Sequence, residues 1–256
     1  MSDRWRLPIA LLALAVYLAI VFWDAWVPHA FTGLMASLVN GISPHLLVGA
    51  AFLVALAAAL RWGDLGLNAP RPWRSLLVLV PSLLYLVVFL GLALALGLPP
   101  ARAALFVGLN TFLAGFAEEM MFRGILFRAL LKRLSLWTAI WLTSLSFGTV
   151  HLLNALTTGD LGMAAVQAVA AFMTGTFLLA IVLRTGSLWP SILYHAAWDF
   201  SIGLIAAGHP PPAAAVVQSH AAAISLVPML LVLPNFLYAL FLLRRRRLRP
   251  MGAAAA

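Results

Sequence analysis

The sequence predicts an all-α polytopic membrane protein of about eight transmembrane helices, with both termini cytoplasmic. Three observations predict it. Of the 256 residues, 64% are hydrophobic and only 9% are charged, whereas a soluble domain is about half apolar and a quarter charged. Mean hydropathy is +1.04. The apolar residues fall in runs long enough to cross a bilayer, and the basic residues cluster between those runs. So few charged side chains cannot clothe a soluble globule of 27.5 kDa, which excludes a soluble enzyme, a disordered chain and a free nucleic-acid binder.

A spanning helix needs roughly 20 apolar residues, and on that scale the runs are 7–28, 44–60, 74–97, 103–131, 135–156, 161–183, 187–206 and 221–243. The first resembles a signal peptide, because Arg4 and Arg6 precede it. Its core is too long, however, and Trp23-Asp24-Ala25-Trp26 is a poor cleavage site, so it reads as a retained helix. The second and third flank a short polar segment, Arg61–Arg74. The fourth is the longest and must tilt or protrude. The fifth, sixth and seventh follow over short loops. The eighth comes after the Pro-rich stretch Gly208–Ala215 and ends in a basic tail. These runs divide the chain into three N-terminal helices (1–97), a core (98–206), and a final helix with its tail (207–256).

Charge placement gives a test independent of the span count. A cytoplasmic N-terminus puts Arg4, Arg6, Arg61, Arg71, Arg74, Arg128, Lys132, Arg133, Arg184, Arg244–Arg247 and Arg249 inside. Only Arg102 falls outside, and Arg123 lies within a span. That asymmetry is the one insertion requires. The net charge of +9 is therefore an orientation signal. It forms no aromatic-interleaved stripe, so no nucleic-acid partner is expected. With no Cys there is no disulfide, thiolate ligand or Cys nucleophile.

Ionisable groups at bilayer depth cost about 2.5–3.5 kcal/mol each on insertion scales and mark functional sites by default. The chain contains two glutamates, Glu118 and Glu119, adjacent in the fourth run. Glu119 and Arg123 are four apart and share a helix face. Glu118 is rotated about 100° from Glu119, so Arg123 neutralises Glu119 more readily and leaves Glu118 freer to act as a base. A purely structural Glu119–Arg123 clamp is the alternative. His151 lies late in the fifth run, one turn after Phe147. In the seventh, His195 and Asp199 are four apart and can hydrogen-bond, ligate a metal together or line a polar cavity. Trp198 is a further candidate lining residue. Three helices carrying costly groups point to one shared cavity. Asp24, Asp160, His29, His45, His209 and His220 fall at span ends or in loops and read as interfacial.

A base, two imidazoles and a further carboxylate suit water activation for hydrolysis. Other chemistries lack their motifs: there is no His-Glu-x-x-His, no Gly-x-Ser-x-Gly and no Gly-rich phosphate loop. The residues do fall into a known pattern. Glu118-Glu119-Met-Met-Phe-Arg123-Gly124 resembles the EExxxR motif of the CPBP family, the CAAX-protease and bacteriocin-processing (Abi) intramembrane proteases. Phe147-Gly-Thr-Val-His151 is similar to its FxxxH motif, and His195-Ala-Ala-Trp-Asp199, with its flank from Gly186, to its HxxxN/D motif. The resemblance covers roughly Leu98–Ala206.

It implies an intramembrane endopeptidase in which Glu118, with His151, activates the attacking water. Glu119 and Arg123, with Phe147, would support the site, while His195 and Asp199 would stabilise the oxyanion. Prenyl-protein endopeptidases of the family typically carry Asn at the last position, and many bacterial members carry Asp. An ionised Asp199 would repel an oxyanion, so it must be protonated, orient His195 or ligate a metal. Both metal-free glutamate and metalloprotease mechanisms have been argued for the family. A divalent metal such as zinc, held by Glu118, His151, His195 and Asp199, stays open. The expected partners are the bilayer of a cell inner membrane and a membrane-associated or lipid-modified protein or peptide substrate. Two other classes compete. A non-proteolytic scaffold or immunity protein of the same fold would be expected to lose a motif residue. A proton-relaying transporter would show an inverted repeat.

Overall fold

The computed structural model describes residues 3–23, 38–70, 72–209 and 226–244, and every element among them is helical. Helix α1 (Arg6–Val21) follows a single 3-10 turn, and α2 is Pro44–Leu60. A 3-10 segment, Trp73–Leu79, leads into α3 (Val80–Leu96). The fourth predicted run is one rod in three parts: α4 (Ala101–Glu119), a π-helical turn Met120–Leu126, and α5 (Phe127–Leu131). The fifth is α6 (Leu136–Val150), which tightens at His151 into the 3-10 turn His151–Asn154 before a short α7 (Ala155–Thr158). Then come α8 (Leu161–Thr185), α9 (Trp189–Gly208) and α10 (Val227–Arg244).

Local sequence sets the boundaries. Pro44, Pro81 and Pro190 open α2, α3 and α9 in the first turn, where a missing N–H costs nothing. Ser135 caps α6 and Asp160 caps α8 by accepting from Thr138 N and Met163 N. Gly186 closes α8 at φ 69°, in the left-handed region that glycine enters without steric cost.

Among the described residues, six helical segments are long and apolar enough to cross a membrane: Asp3–Val21, Trp73–Leu96, Ala101–Leu131, Leu136–Thr158, Leu161–Thr185 and Val227–Arg244. The sequence predicts eight, and the difference lies in two elements. Helix α2 has 17 residues, shorter than any of the six, which run from 18 to 31. Helix α9 has 20 residues but carries Ser191, His195, Asp199 and Ser201, which lower its hydropathy. The outward surface is unlike that of a soluble bundle: Leu12, Leu84, Val87, Val88 and Leu94 are each more than 60% exposed. Lipid, and not water, suits such a surface.

Helix α8 occupies the centre. From Thr176 to Leu183 it is buried on every face, as a helix surrounded by others must be. Small residues let its neighbours close in. A Cβ on Gly148 of α6 would lie 2.7 Å from Ala168 O and 2.9 Å from Phe172 Cβ of α8. A Cβ on Gly115 of α4 would lie 3.1 Å from the backbone of Ala196 in α9, and one on Gly203 of α9 would lie 2.7 Å from Val107. The motif-bearing helices α4 and α9 are thereby locked at close range.

The basic clusters gather at one end of the bundle. Arg6 pairs with Asp64 and lies over the Trp62 ring, while Lys132 pairs with Asp3 at 3.3 Å. Arg133 donates to Arg4 O at 2.9 Å. The 61–70 segment is strapped to the α8–α9 turn by Leu188 N to Gly66 O (2.7 Å), Ser187 Oγ to Asn68 O (2.6 Å) and Trp189 Nε1 to Leu67 O (2.9 Å). Arg184 donates to Leu242 O. Partial burial favours neutral Asp64, but the Arg6 bond and charge, with Arg128 nearby, outweigh it and hold the carboxyl below its ordinary range. Asp160, His45 and His209 lie at helix ends, as expected for interfacial groups. Asp24, His29, His220, Arg71 and the tail beyond Arg244 lie outside the described residues.

Candidate active site

Two carboxylates adjacent in sequence are separated by their surroundings. Glu119 ends α4 and its side chain is fully buried. Its Oε1 takes Arg123 Nη1 at 2.8 Å and His195 Nδ1 at 3.1 Å, and its Oε2 accepts from Ser191 Oγ at 2.5 Å. Such a buried charge is tolerable only with partners of this kind on both oxygens. Glu118, one residue earlier and on another face, keeps 25% of its side chain accessible and faces His195 Nε2 at 3.7 Å. Asp199, one turn beyond His195, places Oδ2 3.4 Å from the same Nε2 and is 40% accessible.

The guanidinium of Arg123 ties a third and a fourth element to the pair. It donates to Gly175 O of α8 at 3.0 Å and lies 4.2 Å over the Phe147 ring. Both contacts need the π-helical turn, which puts Arg123 between α4 and α8; π turns recur where a functional side chain must be re-aimed. Gly175 leaves room for both side chains, because a Cβ there would come 2.9 Å from Phe147 Cδ1 and 3.2 Å from Arg123 Nη2 and push them aside.

Phe147 is the hinge between the two histidines. Its ring meets His151 edge-on at 4.9 Å and His195 edge-on at 6.0 Å between centroids. His151 Nδ1 lies 2.7 Å from Phe147 O. A carbonyl only accepts, so that nitrogen carries the hydrogen, and the neutral ring offers its Nε2 lone pair. His195 is fixed by the same logic: Glu119 is a carboxylate that already accepts from Arg123, so Nδ1 donates and Nε2 faces Glu118 and Asp199.

The predicted residues are thus partly gathered as expected. The Glu119–Arg123 and His195–Asp199 pairs form, and Glu118 stays clear of the arginine. His151 joins through Phe147; among the described residues it makes no hydrogen bond or ion pair to Glu118. Trp198 packs on α3, stacked on Tyr85 at 5.7 Å and against Phe89 at 4.9 Å, and so serves the α3–α9 contact. Sequence reasoning missed the His195–Glu119 bond, Gly175 and Ser191. A signal for Ser191 was present: Ser191, His195 and Asp199 recur every four residues along one face of an otherwise apolar helix.

Residues 100–201 match the family model of type II CAAX prenyl endopeptidases, described as Rce1-like. That segment carries all three motifs and agrees with the CPBP resemblance read from them. The family is one of proteases of the membrane, and with the apolar helices it marks a multi-pass membrane protein. Among curated proteins and among solved structures, nothing matches the chain.

Zinc in a protein sits among ligands converging at about 2 Å on one point. Among the described residues, no group of three or more His, Cys, Asp or Glu side chains is placed to hold a metal ion. The metalloprotease expectation therefore finds no support among the described residues.

Proposed function

We propose that the chain is an intramembrane endopeptidase that hydrolyses a peptide bond in a membrane-associated or lipid-modified protein or peptide. The observation that carries this reading is the unequal treatment of Glu118 and Glu119. One is saturated by Arg123, His195 and Ser191; the other is partly accessible and faces the His195 imidazole. A general base needs a free carboxylate oxygen within reach of water.

In this reading Glu118 takes a proton from water while the His151 Nε2 lone pair holds the other hydrogen. The hydroxide attacks the scissile carbonyl carbon, and the carbonyl electron pair moves to oxygen. His195 Nε2–H donates to that oxyanion. Collapse of the tetrahedral intermediate breaks the C–N bond, and Glu118 returns its proton to the leaving amine. Asp199, facing His195 Nε2, orients the ring and balances its charge. Glu119 and Arg123 are support.

The same reading includes eight crossings, with α2 and α9 as the two short or polar ones, both termini in the cytoplasm, and residence in a cell inner membrane. The gathering of Arg6, Lys132, Arg133 and Arg184 at one end of the bundle supports that orientation. The scaffold alternative has no observation in its favour, since no motif residue is lost.

The test is cleavage of membrane-derived peptides by purified wild type and Glu118→Gln, with new termini read by mass spectrometry. New termini made by wild type alone support the proposal. The same termini from both folded proteins would remove Glu118 from the chemistry.

A further inference from the structure

Ser191 belongs to none of the three motifs, yet it holds a defined place in the site. Its side chain is fully buried in the first turn of α9. The hydroxyl lies 2.5 Å from Glu119 Oε2 and 3.2 Å from Leu178 O of α8. A hydroxyl has one hydrogen to give, and the shorter, charge-assisted contact takes it. Glu119 Oε1 already receives both Arg123 and His195. Without a donor on Oε2 the carboxylate is held at one oxygen only and is free to turn about its Cγ–Cδ bond.

We infer that Ser191 is a positioning residue: its hydroxyl pins Glu119 Oε2, so that Oε1 stays aligned on His195 Nδ1 and the imidazole keeps Nε2 directed at Glu118 and Asp199. The geometry is a relay along α9, in which Ser191 sets Glu119, Glu119 holds the His195 Nδ1–H and so the ring orientation, and His195 faces the reacting groups. The serine itself touches no reacting atom. Its kinetic consequence rests on the endopeptidase reading; its effect on the His195 ring does not.

Ser191→Ala keeps the volume and removes the donor, and Ser191→Cys keeps a weak donor. With imidazole-labelled protein in detergent, wild type is expected to show one His195 ring species with a sharp Nδ1–H resonance, assigned by its absence in His195→Gln. Ser191→Ala is expected to show an exchange-broadened Nδ1–H resonance, with Ser191→Cys between the two. In cleavage assays kcat should fall roughly 10–100-fold in Ser191→Ala, the size typical when a group that orients an active-site residue is removed, with KM unchanged and partial recovery in Ser191→Cys. An unchanged His195 ring signal in folded Ser191→Ala overturns the inference, whatever cleavage shows. An altered ring signal in a series where even wild type cleaves nothing upholds the relay and defeats the endopeptidase reading.

Discussion

Glu118→Gln and Glu119→Gln are expected to fail in different ways, although the residues are neighbours. The first removes a base from an accessible position and should lower cleavage by about 10²–10⁴-fold, the usual worth of general-base catalysis, with the melting temperature unchanged. The second leaves Arg123 buried without its carboxylate, a kind of loss that costs about 3–5 kcal/mol. Arg123→Gln should destabilise similarly, and a thermal melt in detergent of all three variants separates the cases. This division was partly legible in the sequence, because helical spacing alone assigns Arg123 to Glu119. The spacing could not show that His195 binds Glu119 as well as Asp199. That bond depends on how α4 and α9 cross, and the crossing is set by Gly115 against Ala196, a contact between residues far apart in the chain.

At the scale of elements, two of the three motif-bearing helices depart from regular geometry close to their motifs. The fourth run turns π-helical immediately after Glu119, and the fifth tightens to 3-10 at His151. A hydrophobicity pattern registers length and apolarity, and both runs were found at nearly their observed limits; it contains nothing about a change of helical pitch. Close approach is similarly silent. Gly148→Ala should be strongly destabilising, because the added Cβ meets backbone oxygen and a neighbouring Cβ at under 3 Å and α6 must move off α8. Gly175→Ala should instead leave the fold largely intact and displace Phe147 and Arg123, lowering cleavage more than stability. Melting temperature and activity measured on both variants distinguish the two outcomes.

The whole molecule is an apolar bundle tied at one end by ion pairs and by the 61–70 strap. Asp64 is held below its ordinary range, so its pairing contributes stability above the unfolded-state value of about 3.9, and that contribution is lost as pH falls through the lower folded value. Because the carboxylate is partly solvated, the contribution is small, about 1 kcal/mol or less. Melts of wild type and Asp64→Asn should differ slightly at neutral pH and converge in acid. The membrane class and the order of helices were legible from composition, run length and arginine placement. Helix α9 was the exception among the crossings, since the polar residues that build the site make it the least membrane-like long helix. Function and hydropathy pull against each other there, which accounts for one of the two spans by which sequence and structure differ; the other is the short α2.

The central claim is that Glu118 is the base and Glu119 its fixed neighbour. The most direct measurement follows peptide-bond cleavage by Glu118→Gln in detergent or liposomes, beside a thermal melt of the same preparation. The account predicts a wild-type melt with cleavage lost. A wild-type melt with cleavage retained would contradict it.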